Sequence, residues 1–158
     1  MKKLLLVFAF TLGLVLNGRS QCAFDNVFYT DLTPPAPGTS DSDPCGWGGD
    51  LFTTTVVLGE TYTFATCGGG AWDSQLTLYD NTGTVVLGYS DDDCGTQSTI
   101  TWVATYSGVV NLLLDQYNCV SNATCMVVTV TWVGAPPPPP LNDDCGSVVP
   151  TTLVNGAP

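Results

Sequence analysis

The sequence predicts an all-β protein: an antiparallel β-sandwich of jelly-roll type, about eight short strands, stapled by disulfides. Three observations point there. Apolar residues between Cys22 and Val133 recur with a period of two. Turn signals interrupt the runs roughly every ten residues, the spacing of sandwich strands. Threonine, valine and aromatics dominate this stretch, while glutamate occurs once and lysine not at all, a composition that favours strands over helices.

The runs follow in order. Thr61-Tyr62-Thr63-Phe64-Ala65 sets Tyr62 and Phe64 on one face, and Gln75-Leu76-Thr77-Leu78 does the same for Leu76 and Leu78. Thr99-Ile100-Thr101-Trp102 pairs Ile100 with Trp102, and Val110, Leu112 and Leu114 form a further row. The clearest run is the last, where Met126, Val128, Val130 and Trp132 share a face and Thr129 and Thr131 share the other. Leu58-Gly59-Glu60, Asn81-Thr82-Gly83, Asp93-Cys94-Gly95 and Ser107-Gly108 supply turns between them.

The ends read differently. Met1-Lys2-Lys3 and the apolar run Leu4 to Leu16 have the charge and length of a secretory signal, residues 1–20, with Gly18 and Ser20 as the small residues before cleavage at Gln21. Lipid attachment at Cys22 is the alternative, but Gln21 is bulky where a small residue is wanted. A sandwich domain is expected over 22–133, followed by a proline-rich linker over 134–141 that stiffens into polyproline II. Residues 142–158 are too few for a core of their own. They are either the start of a second, truncated module or a short tail.

Charge excludes whole classes of function. The net charge is −11, with Lys2, Lys3 and Arg19 the only basic residues, no histidine, and all fourteen acids beyond residue 20. Nucleic acid and anionic membranes are therefore not expected partners, since both are held by lysine and arginine. Imidazole-based triads, lysine Schiff bases and P-loops lack their essential side chains. Carboxylate, thiol, hydroxyl and backbone chemistry remain.

Export agrees with the cysteines, which disulfides use in oxidising compartments. Cys119 and Cys125 bracket a short polar loop and are expected to pair across a hairpin, with Cys67 joined to Cys94 and Cys22 to Cys45. Each bridge would contribute about 2 to 4 kcal/mol, chiefly by restricting the unfolded chain. Cys145 is left unpaired, awaiting a partner in further domains of the same polypeptide. Zinc is disfavoured because no Cys-x-x-Cys and no histidine is present.

Gly59-Glu60-Thr61-Tyr62-Thr63-Phe64-Ala65-Thr66-Cys67-Gly68, then Trp72-Asp73-Ser74-Gln75-Leu76-Thr77-Leu78-Tyr79-Asp80, then Ser90-Asp91-Asp92-Asp93-Cys94-Gly95 and the Ser98–Trp102 strand together resemble the bacterial pre-peptidase C-terminal (PPC) domain, a CUB-like β-sandwich. The order is most similar to the disulfide-bearing variant repeated in secreted surface proteins of Bacteroidota, and Asn142-Asp143-Asp144-Cys145 resembles the opening of a next repeat. The resemblance covers most of residues 45–133. It implies a non-catalytic module appended to exported peptidases and adhesins, often delivered by type IX secretion.

Three groups of residues are candidate sites. Asp91, Asp92 and Asp93, with Asp73 and Asp80 on neighbouring loops, form a carboxylate cluster without cations to neutralise it. Either Ca²⁺ relieves the repulsion or the aspartates form turns by accepting backbone N–H bonds. Trp47 and Trp72 flank glycine-rich loops and are either exposed for contact with protein or sugar or folded inward as plugs, whereas Trp102 and Trp132 lie on core faces. Asn122-Ala123-Thr124 reads as loop. A carboxylate-pair hydrolase is the enzyme alternative, but nothing in the sequence sets the separation of the acids.

The expectation is thus a secreted or cell-surface module for binding, adhesion or spacing, not an enzyme, with a protein or carbohydrate partner at the cell surface, no certain cofactor, and Ca²⁺ as the one candidate. An accessory domain of an exported peptidase, aiding folding or substrate attachment, is the alternative.

Overall fold

The computed structural model describes residues 21–70 and 72–137. The expected signal, the linker beyond residue 137, the stretch 142–158 and Cys145 lie outside the described residues.

Among the described residues nine strands, in line with the about eight expected, make two sheets: β1 (Val27–Asp31), β2 (Thr39–Gly48), β3 (Asp50–Val56), β4 (Thr61–Ala65), β5 (Ser74–Asp80), β6 (Val86–Asp91), β7 (Thr99–Val103), β8 (Gly108–Gln116) and β9 (Asn122–Gly134). One sheet runs β1-β3-β8-β5-β6 and the other β2-β9-β4-β7. Neighbours are antiparallel except β1, which lies parallel to β3 at an edge.

The period-two rows meet between the sheets. Tyr62 and Phe64 from β4, Leu76 and Leu78 from β5, Val110, Leu112 and Leu114 from β8, and Met126, Val128 and Val130 from β9 are all fully buried in one cluster, with Phe52 and Val56 from β3. Trp102 and Trp132 pack against its margin, and Trp132 stacks on Tyr62 with ring centroids 5.6 Å apart. Burying side chains of this size supplies the main driving force for the sandwich.

A second, smaller cluster lies on the other face of the five-stranded sheet, where Leu51, Tyr79 and Leu113 are buried. The N-terminal segment ahead of β1 covers it. Phe24 meets Tyr79 edge-on at 5.3 Å, and the Tyr79 hydroxyl donates to the Cys22 carbonyl at 2.7 Å. Strand β5 is consequently buried on both faces along nearly its whole length, a pattern an alternation argument does not predict.

β2 carries little apolar signal and was not legible as a strand. It attaches to β9 through hydroxyl pairs on the outer face, Ser40 with Thr131 at 2.8 Å and Ser42 with Thr129 at 3.0 Å.

Two of the three expected disulfide pairings are corrected. Cys67 is joined to Cys94, but Cys22 is joined to Cys119 and Cys45 to Cys125. The expected Cys119–Cys125 hairpin bridge does not form because β9 begins at Asn122, ahead of Cys125. Cys125 therefore sits inside a strand whose neighbour is β2, and Cys45 on β2 lies 4.2 Å away between Cα atoms. Cys119 belongs instead to a tight turn closed by the Gln116–Val120 bridge, with Asn118 and Cys119 both left-handed at φ 67° and 57°. That turn meets the N-terminal segment, and the bridge to Cys22 holds the segment over the second cluster.

Candidate functional site

The corner where the β2–β3 and β8–β9 connections meet holds a recess. β2 ends at Gly48, Gly49 turns the chain at φ 108°, and β3 starts at Asp50. A positive φ of this size suits glycine. Trp47, the penultimate residue of β2, is 50% exposed, and its backbone N–H donates to Asp50 Oδ2 at 2.8 Å. A cleft of about 260 Å³ opens beside it, lined by Val27, Trp47, Gly48, Gly49, Asp50 and the residues Ser121, Asn122 and Ala123. Asn122 opens β9 and donates its side-chain amide to Gln116 Oε1 at 3.0 Å, so the residues read as a loop form the first rung of a strand. Burial pushes the Asp50 carboxyl above the ordinary carboxylate range; the Trp47 N–H opposes this, and the charge on Asp43 adds to it.

Trp72 is a different case from Trp47. It is 7% exposed, belongs to the main core cluster, and donates Nε1–H to the Thr124 carbonyl at 3.0 Å. The expectation that it could serve as a ligand contact is corrected: its ring plugs the sandwich.

The aspartates divide into three situations. Asp73, Asp91 and Asp92 bring one carboxylate oxygen each to within 4.8 Å of one another, because Asp73 precedes β5 and Asp91 ends β6, its antiparallel neighbour. Burial raises the Asp73 pKa, and the charges of Asp92 and Asp91 raise it further, while Asp73 Oδ1 is buried without a hydrogen-bond partner. Such a donor set suits a hard, oxygen-preferring cation. Asp93, from the same loop, turns to Ser90, whose hydroxyl donates to Asp93 Oδ2 at 2.7 Å.

Asp80 sits at the far end of β5 and does not join that group, which corrects the five-residue cluster. It organises the β5–β6 turn, accepting from the Thr82 hydroxyl at 2.6 Å and from the backbone N–H groups of Thr84 and Val85 at 2.9 and 3.0 Å. These bonds hold its carboxyl below the ordinary range, the Thr82 hydroxyl most of all.

One buried acid was missed altogether. Asp115, near the end of β8 and opposite Gln75 on β5, is 4% exposed, and its Oδ2 has no hydrogen-bond partner. Burial pushes its pKa up to about 6; the Asn26 side chain opposes the rise and Asp25 adds to it. Gln75 beside it accepts from the Cys119 backbone N–H at 3.2 Å and donates to the Tyr89 hydroxyl at 2.7 Å, tying the disulfide turn to the sheet. The leucines preceding Asp115 could have hinted at burial, but its position on the outer face gave no sign of the covering segment.

The sequence model of a family described as a domain of unknown function (DUF8695) matches residues 47–134. No curated protein matches the sequence. Among solved structures, the chain is similar to the pre-peptidase C-terminal domain of a collagenase from Bacillus anthracis, with 11% identity, 67% of this chain and 94% of that one covered, and a TM-score of 0.46. It is also similar to PliG of Aeromonas hydrophila, a periplasmic inhibitor of g-type lysozyme, with 15% identity, 66% and 98% covered, and a TM-score of 0.47.

Proposed function

The chain belongs to the DUF8695 family, and we propose that it is an exported, non-catalytic module that binds or spaces at a cell surface by contact alone. The observation that carries this reading is the Trp47 corner. A half-exposed tryptophan is set rigidly beside an open cleft by a glycine turn and by its own N–H bond to Asp50. Large aromatic side chains held out in this way supply contact area at little entropic cost. Three disulfides fit an extracellular or periplasmic setting, where such bridges persist. The sequence lacks histidine entirely, and every lysine and arginine precedes residue 20. Acid-base work would fall to carboxylates, and among those described above Asp80 serves a turn, Asp115 lies buried, and Asp73, Asp91 and Asp92 crowd together.

The test pairs two measurements on the oxidised chain. One is turnover of a glycan and peptide panel; the other is binding to surface preparations of cells that export it. Saturable binding without turnover is the expected result. Hydrolysis that disappears in Asp92→Asn would overturn the reading.

A further inference from the structure

We propose that the Trp47–Asp50 corner is a docking site for an arginine side chain presented by a cationic protein. The proposal rests on the contact reading above and names its ligand chemistry. Three features of the corner converge. Trp47 offers an indole face at 50% exposure, the surface on which a planar guanidinium stacks. Asp50 stands three residues away with one oxygen fixed by the Trp47 N–H, so its carboxylate is already oriented when a partner arrives. Asp43 adds a second negative charge close enough to raise the Asp50 pKa, which a cation in the cleft would reverse.

The chain itself supplies no such cation. Lysine, arginine and histidine are absent from residue 20 onward, so these carboxylates have no counter-ion within the described fold. Cleft size points the same way. About 260 Å³ lies just under the range typical of small-molecule sites and suits one long side chain better than an oligosaccharide. A neutral sugar would also leave the two carboxylates unneutralised. A positively charged partner would be drawn in from a distance by a chain whose net charge is −11.

The experiment titrates the full oxidised chain, followed by amide and indole NMR resonances, with a short peptide bearing one arginine and with the same peptide bearing citrulline, its neutral isostere. Saturable shifts at the Trp47 indole and the Gly48, Gly49 and Asn122 amides are expected, with the citrulline peptide about tenfold weaker, equivalent to about 1.4 kcal/mol. Trp47→Ala and Asp50→Asn should each weaken the arginine peptide by a similar factor, whereas Asp91→Asn, at a separate acidic loop, should not. Equal binding of the two peptides overturns the proposal. So do shifts that are as large at Asp91–Asp93 as at Trp47, or an unaltered titration in Trp47→Ala. A neutral oligosaccharide that shifts these resonances while the arginine peptide does not would assign the corner to carbohydrate instead. None of these failures involves substrate turnover, so each leaves the contact reading standing.

Discussion

Asp115 gives the account its sharpest energetic test. Its folded-state pKa is raised from the ordinary 3.8 to about 6 by burial beneath the N-terminal segment. The fold therefore prefers the protonated acid. Stability from that preference is fully present below pH 3.8 and is lost as pH rises through about 6. A shift of about two units corresponds to ~3 kcal/mol across that window. In Asp115→Asn the window closes, because the amide does not titrate. Denaturant unfolding with disulfides intact, run from about pH 3.5 to 7.5, should show the wild type losing ~3 kcal/mol more than the variant over the rise. Comparing the two pH slopes cancels the constant cost of the new amide contacts, and it cancels the opposite contribution of Asp80, whose lowered pKa makes it lose stability as pH falls. Parallel pH profiles for the two proteins would refute the buried, desolvated placement of Asp115.

Further outcomes follow from the other positions. Asp92→Asn should raise the melting midpoint by relieving repulsion with Asp73, whose pKa that charge helps to raise; millimolar calcium should do the same in the wild type but not in Asp73→Asn, and an unchanged midpoint would leave these aspartates as loop residues only. Gly46→Ala should cost about 1 to 3 kcal/mol by overpacking, because a Cβ there would lie 2.8 Å from the Phe52 ring and 3.0 Å from Val128; denaturant midpoints measure it. Trp72→Ala should cost about 3 to 5 kcal/mol as a core truncation, while Trp47→Ala should leave stability nearly untouched. Acrylamide should quench Trp47 and spare Trp72, and the reverse order would exchange their roles.

The sandwich was legible because the inner faces of β4, β8 and β9 follow apolar alternation. Tyr62, Phe64, Leu112, Val128 and their neighbours are apolar at every second residue, and each is buried where the pattern places it. Three kinds of feature escaped. β2 is built largely from serine, aspartate, glycine and proline, and it is a strand because it pairs along β9, with cross-strand hydroxyl pairs and the Cys45–Cys125 bridge in place of an apolar row. Burial on the outer face of β5 and β8 depends on the segment anchored by Cys22, which no local pattern encodes. Disulfide partners are set by strand order in space, and the nearness of Cys119 to Cys125 along the chain misled for that reason.

At the candidate site, the acidic loop was found but its membership was drawn too widely. Asp73 and Asp80 flank the same strand, and β5 carries them to opposite ends, a separation that six intervening residues at about 3.3 Å each make unavoidable once the segment is read as extended. Trp47 and Trp72 both lie at glycine-rich stretches, so sequence could not rank them. What separates them is that Trp72 finds an acceptor in the Thr124 carbonyl within the core while Trp47 rides on an edge strand.

The sulfur connectivity tests the account most directly, because the bridges tie the N-terminal segment to the β8–β9 turn and β2, which carries Trp47, to β9. Proteolysis of the unreduced chain and mass measurement of the linked peptides should recover Cys22 with Cys119, Cys45 with Cys125 and Cys67 with Cys94. A peptide joining Cys119 to Cys125, or these six cysteines recovered as free thiols, would contradict it.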